Sequence, residues 1–128
     1  MQYERGRTEE AAQPGAKVCA TDGDVLIDNL LTAPGVSINT GLFKPGAHTY
    51  WHSHERDQVF LVASGKGIVV TRDGDARIVR AGDVLYTPPG EEHWHGAAPD
   101  SFVTYTSISL GVTSFGEEVA KVEHEGQW

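Results

Sequence analysis

Cysteine is almost missing from this chain: Cys19 is alone among 128 residues, so no disulfide within one chain can staple the fold. It has no evident base beside it, and a nucleophilic role for it is not expected. Positive charge is also scarce. Ten Lys and Arg face eighteen Asp and Glu, a net charge of -8, which repels phosphate backbones and anionic membrane surfaces and excludes nucleic acid as a partner class. No apolar run approaches the roughly 20 residues needed to span a bilayer. The start "MQYERGRTEE" lacks the apolar core of a secretion signal, and a cytoplasmic location is expected on that ground. There is no C-x-x-C, no G-x-S-x-G, no P-loop, no paired-carboxylate signature and no internal repeat.

What is present is β-forming sequence broken at short intervals. The length fits one domain with one core. Residues 1–17 are polar and aperiodic and read as an arm, residues 18–113 as an all-β barrel, and residues 114–128 as a tail packing on the barrel or a partner. "VLIDNLL" (Val25–Leu31) is too short to decide between a strand and a helical turn. From Val36 onward, "SINTGLF", "QVFLV", "GIVVT", "ARIV", "VLYT" and "SFVTYTSISL" are separated by "KPGA", "ASGKG", "RDGD", "RAGD" and "PPGEE". Runs of this kind between turn residues are how a sandwich or barrel reads. Asp73-Gly74 predicts a hairpin with a type I′ turn. The acidic tail holds either one short helix in "GEEVAKVEHE" or an edge strand, with His124 in solvent. Phe43, Phe60, Leu61, Val62, Ile68, Val70, Val84, Leu85, Phe102 and Ile108 are assigned to core or interface.

Five of the six histidines fall into two alternating stretches, "AHTYWHSH" and "HWHG". Side chains alternate faces along a strand, so His48, Tyr50, His52 and His54 would share one face, and His93 and His95 another, with Trp94 pointing away. Imidazole is the commonest metal donor, and two strands across a cavity can present three nitrogens to one ion. Gln58 can add an oxygen. An H-x-H alone is weak, since a surface strand with scattered histidines reads the same way.

The spacing carries more. Gly46, five residues, His52-x-His54, three residues, Gln58, six residues and Gly65 resembles the first cupin motif, in which the fourth ligand is normally glutamate. Gly82, five residues, Pro88-x-Gly90, two residues and His93 resembles the second, with Ala97 where that motif has asparagine. The resemblance implies a double-stranded β-helix, or jelly-roll, barrel holding one divalent metal ion. With glutamine as fourth ligand and "HWHGAAPD" after "PPGEE", the chain is similar to the single-domain cupins that include manganese-dependent hydroxynitrile lyases. That similarity implies His52, His54, Gln58 and His93 as ligands, manganese ahead of Fe, Co, Ni or Zn, and His95 as a catalytic residue. Another pocket histidine of that group falls at Tyr105, leaving Tyr105 or His48 to act as the second acid or base.

Three neutral imidazoles and a neutral amide leave a divalent ion its full charge, which favours anions at its open positions. The expected function is a metal-dependent enzyme acting on a small carbonyl or hydroxy compound, anionic substrates included, with the ion as Lewis acid: a carbon-carbon lyase. An iron-dependent dioxygenase and a non-enzymatic cupin that binds a small ligand or metal are the alternatives. Open strand edges and the apolar "VLIDNLL" lead to an expected homodimer or dimer-based tetramer.

Overall fold

The structure, a computed structural model, describes residues 1–6, 13–14 and 24–128. Cys19 and most of the polar arm over 1–17 lie outside the described residues. The strands are β1 (Gln13–Pro14), β2 (Val25–Ala33), β3 (Val36–Phe43), β4 (His52–His54), β5 (Gln58–Thr71), β6 (Ala76–Arg80), β7 (Val84–Thr87), β8 (His93–Ala97), β9 (Val103–Leu110) and β10 (Thr113–Phe115), followed by helix α1 (Lys121–Glu125). "VLIDNLL" is therefore strand, and the tail forms the short helix.

All pairings are antiparallel, in the order β1-β2-β3-β9-β5-β8-β4-β10, with β6 and β7 also on β5. The sheet curls into a jelly-roll half-barrel. Strand β5 is its seam. The first half of β5 pairs with β7 and β9, and its second half, from Lys66, pairs with β6 and β8. The change of partners coincides with a register shift between Val62 and Ser64 and with Gly65 at φ 79°. A side chain at Gly65 would be strained at that φ and would also overlap the Phe102 carbonyl, so the corner requires glycine. The other motif glycines, Gly46, Gly82 and Gly90, share the positive φ.

Two apolar clusters result. Inside the barrel lie Val25, Phe43, Phe60, Val62, Val79, Val103 and Tyr105 with neighbouring alanines. On the opposite face of β5 and β8, Ile68, Val70 and Trp94 form a floor covered by Trp51, Val119 and Trp128, so the C-terminal segment packs on the barrel wall. Of the residues assigned to core or interface, Leu61, Val84 and Phe102 are exposed. Among the described residues no helix is long and apolar enough to cross a membrane.

Three expectations need correction. The β5–β6 hairpin forms, but Asp73 does not adopt positive φ, so the turn is not type I′. Gly74 alone is left-handed, with Gly74 N–H donating to the Thr71 carbonyl, the pattern of a type I turn closed by a glycine bulge. The strand imagined through "AHTYWHSH" is broken. Trp51 exchanges backbone hydrogen bonds with Gly116 and Glu117, which resets the side-chain parity between His48 and His52. His124 is not solvated: it is 1 % exposed, its Nε2 lies 2.8 Å from the Ala97 carbonyl oxygen, and its ring stacks on His48 at 4.6 Å.

Trp94 is fully buried under the C-terminal segment. Trp94→Ala is expected to cost about 3–5 kcal/mol. Val84→Ala, at a side chain 65 % exposed, should stay within about 0.5 kcal/mol; urea unfolding of the two variants checks the contrast.

Candidate metal centre

The short strand β4 is opposed by β8, with His52 directly across from His93, and parity puts His54 and His95 on the same inner face. His52, His54 and His93 are all buried, and one nitrogen from each lies within 4.8 Å of the other two. Their remaining nitrogens are engaged. The Nδ1 atoms of His52 and His93 donate to the carbonyls of Tyr50 and Glu91 at 2.9 and 3.0 Å, each two residues earlier in the chain. His54 Nδ1 meets Thr113 Oγ1 at 2.9 Å. A neutral imidazole that donates from Nδ1 keeps its lone pair on Nε2. The Nε2 atoms of His54 and His93 are buried without a hydrogen-bond partner, a costly arrangement unless an electrophile sits between them.

Gln58 lines the same cavity, where its Nε2 donates to Ser109 Oγ at 3.0 Å from the facing position on β9. That bond engages the amide nitrogen and leaves the amide oxygen as the end that meets His54 and could reach an ion. Nitrogen donors with one amide oxygen and no thiolate fit a first-row divalent ion, so the residues present match the metal that the spacing implied.

Burial brings His52 down to about 3, with His93 adding to the fall. The same two causes bring His54 to about 4, with the Gln58 amide acting the other way. Burial also lowers His93. His95 is held well below the ordinary range, by burial first and then by the three facing imidazoles. All four rings are therefore neutral at pH 7, the form in which imidazole ligates metals and accepts protons.

His95 lines a cavity of about 230 Å³ beside His52, His54 and Gln58. Its ring centroid lies 4.6 Å from Phe60, 5.3 Å from Phe43 and 5.2 Å from Tyr105, and its Nδ1 has no partner. Ser37, Asn39, Ser107 and Thr113 give the cavity a polar side. Tyr105 lines it as well, but its hydroxyl donates to the Gly96 carbonyl at 2.9 Å, and burial pushes the phenol up. His48 is not among the lining residues. Its Nδ1 and Nε2 lie 3.0 and 2.9 Å from the carbonyl oxygens of Gly46 and Val119. The structure thus gathers His52, His54, Gln58, His93, His95 and Tyr105, and sets His48 on the outer wall. Reading the sequence missed Thr49, Ser109 and Thr113, and it placed Phe43 and Phe60 rightly in the core without foreseeing that they also wall the cavity; only the alternating serines of "SIS" hinted at a polar inner face.

A family model described as a cupin domain matches residues 40–109. The (R)-mandelonitrile lyase of Granulicella tundricola is 38% identical over 105 residues, which cover 80% of this chain and 79% of that one. A gentisate 1,2-dioxygenase from a Ralstonia species is 29% identical over 87 residues, 68% of this chain but only 24% of the dioxygenase. Among solved structures, a cupin-like protein of Thermotoga maritima superposes with a TM-score of 0.85 at 32% identity, covering 94% of this chain and 96% of the other.

Each imidazole here is lowered from an ordinary value of 6.5, so the native state binds fewer protons than the unfolded chain below that pH. Stability is complete above about pH 6.5 and is lost as pH falls toward 4. The urea midpoint of the metal-free protein should drop across that range, and less so in His52→Phe; an unchanged midpoint would contradict the burial argument.

Proposed function

The chain belongs to the cupin family, and on that premise we propose that it is a metal-dependent enzyme that cleaves a carbon-carbon bond in a small cyanohydrin-like substrate. The carrying observation is the convergence of three imidazoles, two of them with unpartnered inner nitrogens, beside a fourth, His95, whose Nδ1 is also unpartnered and free to take a proton. The similarity to a mandelonitrile lyase over most of both chains supports the choice of reaction.

His52, His54 and His93 with Gln58 would hold the ion, manganese first among the candidates. A divalent ion held there supplies a Lewis acid for a substrate oxygen and for the anion released. The cavity, about 230 Å³, is smaller than the ~300–1,000 Å³ of drug-sized ligand sites, so it admits a small molecule. Phe43, Phe60 and Tyr105 offer an apolar wall for its body. His95, neutral and walled by aromatics, accepts the proton of the substrate hydroxyl as the bond to the nitrile carbon breaks. The carbonyl product forms, and the departing cyanide takes the proton back from His95. Tyr105, its hydroxyl committed to Gly96, shapes the wall, and we assign His48 to holding the C-terminal segment through Val119.

A dioxygenase is the second reading, favoured by the gentisate dioxygenase relative, although this chain spans about a quarter of that protein's length. Loading with manganese and then iron decides between them. Release of benzaldehyde from mandelonitrile by the manganese form is expected. Oxygen uptake with gentisate by the iron form, without aldehyde release, would overturn the lyase reading.

Two variants probe the roles directly. His95→Ala should lower kcat at least about 100-fold while metal content, read by plasma mass spectrometry, stays at the wild-type level. Gln58→Glu cancels one unit of the ion's charge and should weaken inhibition by small anions such as azide; unchanged inhibition would remove the argument from ligand charge.

A further inference from the structure

The three metal-facing histidines are not held alike. The outward nitrogens of His52 and His93 point at main-chain carbonyls of their own strand segments. A carbonyl can only accept, so the local backbone puts the proton on Nδ1 and the lone pair on Nε2, even at His52, where the Thr49 hydroxyl lies further off at 3.5 Å. His54 differs. Its Nδ1 contacts a side chain, the hydroxyl of Thr113, which lies 59 residues further along the chain. The two residues face each other in register across β4 and β10.

A hydroxyl can accept from Nδ1 or donate to it. In the first case His54 presents a lone pair to the ion, and in the second its Nε2 carries a proton and cannot ligate. Resting on the metal-centre reading above, we infer that Thr113 is a positioning residue: its Oγ1 accepts the Nδ1–H of His54 and so commits that ring to the metal. Strand β10 belongs to neither cupin-like motif, yet it completes the ligand set. Thr113 also lines the cavity. Backbone bonds between Trp51 and residues Gly116 and Glu117 fix β10 against β4, and the C-terminal segment thereby bears on the ion.

Two conservative variants separate the hydroxyl from the shape of the side chain. Thr113→Val keeps the branched outline and strand preference but cannot accept the bond, whereas Thr113→Ser keeps the hydroxyl and loses the methyl. The readout is Co(II) affinity of the metal-free full chain, titrated through visible absorption against a competing chelator, together with the position of the ligand-field bands at saturation. Thr113→Val is expected to weaken Co(II) binding about 10–100-fold and to shift the bands. Thr113→Ser should remain within about threefold of wild type and keep the wild-type bands, against a tenfold loss as the low end for an outer hydrogen-bond partner. Wild-type affinity and spectrum in Thr113→Val, or equal loss in both variants, would overturn the assignment. Failure of the unmodified protein to take up cobalt is a different result: it overturns the metal centre itself, and the role of Thr113 with it.

Discussion

A neutral imidazole has one donor and one acceptor, and a metal centre works only if the acceptor faces inward. In this protein that constraint is met by giving each ring an outward partner, Tyr50, Glu91 or Thr113. The partners in turn need β4, β8 and β10 side by side, which places Trp51 against Gly116 and Glu117 and draws the C-terminal segment across Trp94. Burial, tautomer and topology are thus one requirement seen at three scales. The same burial keeps the rings neutral, so the cost of enclosing them is an unmet acceptor rather than an isolated charge.

Strand β5 supplies the geometry. Because it runs through both halves of the sheet, Gln58 at its start and Phe60 and Val62 after it line the barrel interior, while Ile68 and Val70 beyond the Gly65 corner face the outer cluster. One continuous strand therefore fixes the relative position of the cavity wall and of the floor under the tail.

Much of this was readable beforehand. The glycine and histidine spacings resemble the two cupin motifs, and that resemblance implied the jelly-roll barrel and the set His52, His54, Gln58 and His93, which the structure brings together. Trp94 pointing away from His93 and His95 followed from the alternation of side chains along a strand. The failures came where alternation is interrupted by distant contacts. His48 was grouped with His52 because nothing local marks the break at Trp51, which is made by Gly116 and Glu117. His124 looked solvated because its neighbours are acidic, yet one turn of helix presents it alone to His48 and the Ala97 carbonyl. Thr113 was invisible for the same reason: it sits outside any motif and matters only through a partner 59 residues away.

The pairing of β3 with β9, in which Val36 meets Leu110 and Phe43 meets Val103, has a consequence during synthesis. At about 5–20 residues per second, β3 emerges several seconds before β9 and has only β2 to pair with, and the first half of β5 can pair with β7 but lacks β9 for the same interval. Through that interval the nascent chain can form the β2–β3 and β5–β6 hairpins and then the β5–β7 and β5–β8 pairings, but not the cavity, whose wall needs β9. The barrel therefore closes only when β9 and β10 have emerged, and the seconds before closure are when the open edges of β3 and β5 are most exposed to mispairing with another chain.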